Sequence, residues 1–172
     1  MKWQRVVQEK LFLAETLLRS TGGGDHQVEP SKVEVEPSKV QRTALVQGAV
    51  ALILNARASL LVLIAQSNQN KVNEVVSLDA LGQLLGENNP DIQSLRQLSQ
   101  NRHSWWYQLE MLAAWLMHPR EEPRAASEHD HGSNLIIAIA DEGPATTPAD
   151  LLGLIKEFKT YTAELSQRHD EW

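Results

Sequence analysis

Arg96 and His103 are separated by six intervening residues in a stretch rich in leucine, serine and glutamine. Histidine carries a proton near neutrality, and arginine offers a fixed cation for phosphate oxygens. Together they are the types that acid–base work on a phosphodiester requires. The plainer reading is a pair that decorates the end of a helix. A second group, Glu128, His129, Asp130 and His131, places carboxylate and imidazole side by side, a mixture that suits zinc or nickel. No fixed scaffold surrounds it, and resident metal sites need oriented supporting groups, so adventitious binding is the expectation and no cofactor is expected. The third group is aromatic: Trp105, Trp106, Tyr107 and Trp115. Adjacent Trp105 and Trp106 point about 100° apart on a helix, so both are buried only if neighbours wrap that helix on two sides. Core packing is the first reading, and an interaction patch formed by Trp106 with Tyr107 is the functional one.

Other chemistries have no residues to carry them. The chain has no cysteine, which removes disulfides, zinc thiolates and thiol nucleophiles. Gly22-Gly23-Gly24 lacks a following lysine and a preceding strand, so it is no phosphate loop. A formal net charge of −6 argues against non-specific binding to nucleic acid or anionic lipid.

The elements that must position these groups are organised around Ala44 to Ala65, ALVQGAVALILNARASLLVLIA. This segment is apolar on nearly every side, the pattern of a buried helix. It is also long enough to span a bilayer, but Gln47, Asn55, Ser59 and above all Arg57 oppose insertion, so no transmembrane segment is expected. Arg57 then needs a partner inside the fold, with Glu110 or Glu15 on a neighbouring helix as the natural choices.

Before it, Trp3, Val7, Leu11, Ala14 and Leu18 form the stripe of an amphipathic helix that Val6, Leu13 and Leu17 widen. Residues 21 to 38 read as a flexible linker built from a tandem copy, Val28-Glu29-Pro30-Ser31-Lys32-Val33 and Val35-Glu36-Pro37-Ser38-Lys39-Val40. Ser38 is placed to cap the central helix. Ser77 opens a short helix that Gly86 ends, Asn89-Pro90 starts another, and Ser104 caps a helix from Trp105 to Met117, which Pro119 stops. Residues 120 to 133 have no apolar period and read as a mobile loop. Leu135 to Ala140 is strand-like but has no pairing partner, so an extended segment laid over the bundle, or pairing between protomers, is expected. Thr147-Pro148-Ala149-Asp150 opens a final helix with a stripe of Leu151, Ile155, Phe158, Thr162 and Leu165. The expected fold is all-α: one domain, residues 1 to 172, of about five or six helices with one short extended segment.

Two resemblances add to this reading. Gln8-Glu9-Lys10-Leu11-Phe12-Leu13-Ala14, Ser104-Trp105, Leu135-Ile136-Ile137-Ala138-Ile139 and Glu171-Trp172, in that order, resemble a family of short, mainly gammaproteobacterial proteins catalogued as a domain of unknown function. That likeness implies a small bacterial helical protein and brings no activity or catalytic residues. The repeat Val28 to Val40 departs from it. The Arg96 to His103 spacing is similar to the loose signature of HEPN nucleases, which implies RNA cleavage by residues paired across a dimer. Gln97 after the arginine and the break before Ser104 weaken the match.

The function expected from the sequence is a non-enzymatic helical adaptor or protein-interaction module, residing in the cytoplasm. Its expected partner is another protein or a second copy, through the Trp-rich helix or the Leu135 to Ala140 run. The alternatives are an HEPN-like or toxin–antitoxin-type ribonuclease and a peripheral membrane protein resting on apolar helices.

Overall fold

The computed structural model describes residues 2–22, 37–117 and 144–170. The described residues form six helices and no strand: α1 (Lys2–Arg19), α2 (Lys39–Ser67), α3 (Leu78–Leu85), α4 (Pro90–Gln100), α5 (Trp105–Met117) and α6 (Pro148–Asp170). The bundle is all-α, as the apolar periods predict.

Each boundary has a local chemical cause. Ser38 accepts from the Gln41 N–H while the Gln41 side chain accepts from the Ser38 N–H, a complete capping box. This starts α2 at Lys39, five residues before the expected apolar run, because the end of the second repeat copy supplies the cap and the first turn. Ser77 caps α3, and Asn89 caps α4 with Pro90 in the first turn. The hydroxyl of Ser104 accepts from the Tyr107 N–H and donates to the Leu98 carbonyl, tying the start of α5 to α4. Thr147 accepts from the Asp150 N–H at 3.2 Å, and its hydroxyl donates to the Asp150 carboxylate. Gly86 leaves α3 with φ +86°, a conformation that favours glycine.

The core is one continuous cluster to which all six helices contribute, α3 through Leu78 and Leu81. α2 lies at its centre, in contact with α1, α3, α5 and α6. Six consecutive residues, Leu60 to Ala65, are buried, as a helix apolar on every side requires. Among the described residues α2 is also the one helix long and apolar enough to cross a membrane; 61% of its most apolar window is buried in the bundle. On α6 the whole expected stripe is buried: Leu151, Ile155, Phe158, Thr162 and Leu165. The α1 stripe is narrower than its sequence implies. Val7, Leu11, Ala14 and Leu18 are buried, but Leu13 is exposed and Phe12 is 63% exposed; among the described residues α2 and α6 are the helices packed on α1, and these two residues face away from them.

Residues 28–36 of the Val28–Val40 repeat, Pro119, the 120–133 loop with Glu128, His129, Asp130 and His131, and the Leu135–Ala140 run lie outside the described residues.

Candidate binding groove

Two of the aromatic residues singled out in the sequence, Trp105 and Trp106, meet where α5 packs against α2 and α6. Trp105 stacks on Phe158 with centroids 4.7 Å apart and meets Trp106 edge to face at 5.6 Å. Trp106 is fully buried and Trp105 is 6% exposed. A Trp106 surface patch is therefore corrected: α2 and α6 cover adjacent faces of α5, so both rings are enclosed. Tyr107 and Trp115 are half-buried, and Trp115 lines a second hollow with Thr21, Val46 and Pro148.

Arg57 finds the partner it needs. Its Nη2 lies 3.4 Å from Oε1 of Glu110, and the guanidinium sits over the Trp106 ring. Burial holds its pKa below the usual arginine range, an effect the Glu110 charge opposes. The other carboxylate considered, Glu15, instead bridges Arg19 and Lys159 at 2.6 and 2.5 Å.

The structure does not assemble Arg96 and His103 into one site. Arg96 donates to Glu87 at 3.0 Å and to Asp79 at 2.5 Å, and these carboxylates, Glu87 foremost, push its pKa above the usual arginine range. Its charge clamps α4 to α3 and to the turn between them, so it does not offer the free cation a phosphate would need. His103 is exposed in the turn before α5, where its backbone N–H donates to Asn101. No hydrogen bond joins the two side chains. Among the described residues no cluster of three or more histidines, aspartates or glutamates could hold a metal ion.

A groove of about 760 Å³ lies elsewhere, between α4, the first turn of α5 and α6. Leu98 and the Trp105 ring supply apolar wall, and Gly153 leaves bare backbone, with no atom within 4 Å of where a Cβ would stand. Lys156, Glu157, Glu164 and Arg168 supply charges of both signs along its length. From Gly153 to Arg168 the groove follows α6 for about 22 Å, at 1.5 Å per residue.

One end of this groove is fixed by a buried carboxylate. Asp91, in the first turn of α4, is 5% exposed. Its Oδ2 lies 2.9 Å from Nε2 of His169 and accepts from Asn68 at 3.4 Å, while Oδ1 pairs with Arg168 at 3.5 Å. Asn89 completes the link, donating to Asn68 and accepting the Asp91 N–H, each at 2.9 Å. The start of α4, the end of α2 and the last turns of α6 are thereby joined. Beside this cluster, Tyr161 is 8% exposed and its hydroxyl is buried. Ser94 and Arg168 stand close enough to favour its charged form, but neither meets the hydroxyl in hydrogen-bonding geometry, so it has no partner. Burial dominates and pushes the phenol pKa up, so it remains a proton donor at neutral pH.

None of Ser94, Asp91, Tyr161 or Arg168 stood out in the sequence. The i, i+7 spacing of Tyr161 and Arg168 puts them on one face of α6, but only the docking of α4 shows that this face meets Asp91 and Ser94.

The model of DUF6586, a family of unknown function, matches residues 1–172. The chain belongs to DUF6586. The resemblance seen in the sequence to a domain of unknown function is thus borne out, and the DUF6586 match extends through the repeat that departs from it. No curated protein and no solved structure matches this DUF6586 chain.

Proposed function

We propose that this DUF6586 protein is a non-enzymatic interaction module that holds a segment of a partner protein in the groove along α6. The observation that carries the reading is the groove itself: an open, elongated cleft with an apolar wall at Leu98 and Trp105, bare backbone at Gly153 and charges of both signs. Recognition surfaces combine those features, with apolar anchoring at the centre and polar groups that fix register. A cleft of about 22 Å accommodates about six residues of extended chain. Arg96 and His103 bring no competing chemistry, since Arg96 is committed to Asp79 and Glu87.

The test is affinity capture from a lysate of the source organism, comparing wild type with Gly153→Arg. Position 153 points into open space, so an arginine there obstructs the groove without touching the core. A protein retained by wild type and lost in the variant supports the module. A partner set that ignores the substitution, or none at all, overturns it.

A further inference from the structure

The end of α1, the start of α2, the end of α5 and the start of α6 meet at one end of the bundle, around a hollow of about 590 Å³. Its apolar lining is Pro37, Val46, Trp115 and Pro148, all half-buried, so each still presents surface. Met117, two residues beyond Trp115, is 79% exposed. Apolar surface gathered and left open in this way marks a place where something binds.

Two stretches of the chain start and finish at this hollow. Residues 23–36 follow Gly22 and lead to Pro37, both on its rim, and residues 118–143 follow Met117 and lead back to Pro144, four residues before Pro148. The first stretch has three aliphatic side chains, Val28, Val33 and Val35, each flanked by polar residues. The second holds Leu135-Ile136-Ile137-Ala138-Ile139-Ala140, six apolar residues in succession.

We infer that the hollow is the docking site of this same chain's Leu135–Ala140 run. The length of the tether carries the assignment. Ala140 precedes Pro144 by four residues, so even at full extension the two lie within about 14 Å of each other. A segment held that close meets the hollow at an effective concentration that a partner in solution does not reach. The order of side chains suits contact on one side. In an extended chain the larger Leu135, Ile137 and Ile139 share a side, and Ala138 and Ala140 fall on the other with Ile136. Asp141 and Glu142, which follow the run, are opposite in charge to Arg42 on the same rim. The hollow shares no residue with the α6 groove, so the two assignments stand or fall separately.

The chain has no cysteine, so a nitroxide can be attached at one chosen position, Ala138→Cys, on the smaller side of the run. In the isotopically labelled full chain the nitroxide should remove most of the intensity of the Trp115 indole and Met117 methyl signals. Isotopically labelled wild type mixed with nitroxide-bearing chain at natural abundance should show no such loss, because the contact lies within one molecule. Adding Ile137→Asp to the nitroxide-bearing chain keeps the tether and removes the apolar contact. The Trp115 signal should then recover while helical circular dichroism is unchanged; should helix be lost, Ile139→Ser makes the same comparison. Three results would each overturn the assignment. They are an undiminished Trp115 signal with the nitroxide at position 138, an equal loss in the mixed sample, which would give the hollow to a second copy, and a loss that survives removal of the apolar contact, which the tether alone would explain.

Discussion

The guanidinium of Arg57 lies over the ring of Trp106, 4.7 Å from its centroid, and a single oxygen of Glu110 accepts from both, at 3.4 Å from Arg57 and 3.1 Å from Trp106 Nε1. This triad explains how a charge is tolerated in the most apolar helix of the chain. Cation–π attraction offsets part of the desolvation, and the carboxylate satisfies the indole N–H that burial would otherwise strand. Arg57 Nε itself has no partner. Glu110→Ala should therefore destabilise the protein by about 1–3 kcal/mol, less than for a fully buried pair because Glu110 is 39% exposed. Arg57→Met, which removes the buried charge and keeps the stem's packing, should change stability by about 1 kcal/mol or less. Urea unfolding of both variants separates the two cases.

Asp91 joins three helices through one buried carboxylate. Asp91→Ala removes the acceptor for Asn68 and His169 and the counter-charge of Arg168, and should lower stability by about 2–3 kcal/mol. The loss should be greatest at the end of α6. Amide hydrogen exchange in the last turns of that helix should accelerate more than in α1, which does not touch Asp91.

Gly153 lies inside α6, where glycine is unfavourable, and no atom stands near the space a Cβ would fill. Gly153→Ala should therefore raise stability by about 0.5–1 kcal/mol, measured by denaturant unfolding. It also serves as the small-side-chain control for Gly153→Arg, since a methyl group leaves most of the groove open.

Tyr161 carries a pH signature of its own. Burial raises its folded-state pKa, so its contribution is fully present below the unfolded tyrosine value, about 10, and is lost as pH rises through the folded value. Wild type should lose stability above about pH 10 more steeply than Tyr161→Phe, which lacks the titrating group. Thermal melts at a series of alkaline pH values would show the two curves diverging in that window and running parallel below it. The opposite sign belongs to Glu15. Lys159 first, and then Arg19, hold its pKa below the usual range, so its contribution is present above about 4.3 and fades on acidification through the lowered value.

The framework was legible because local rules were strong and mutually consistent. Ser38, Ser77, Asn89, Ser104 and Thr147 each accept a backbone N–H at the helix start where their types and neighbours place a cap. The burial of Leu60 to Ala65 followed from apolarity on every side, and that burial in turn implied a partner for Arg57. Side-chain exposure was less legible where it depends on how many neighbours a helix has. Trp106 reads as a surface candidate until α2 and α6 are seen to pack on α5, and Leu13 reads as core until α1 is seen, among the described residues, to pack against α2 and α6. The groove was not legible at all. Its chemistry arises where Ser94 and Asp91 on α4 meet Tyr161 and Arg168 on α6, and no local period records a contact between segments about seventy residues apart in the chain.

The groove's role is tested most directly by placing a photoreactive benzoylphenylalanine at Thr160, which lines the cleft, and irradiating the protein in a lysate of the source organism. A binding module should give a discrete covalent adduct with one protein, absent when Gly153→Arg is present in the same chain. An absence of adducts, or the same adducts with the groove blocked, would contradict the assignment of this face as the partner-binding surface.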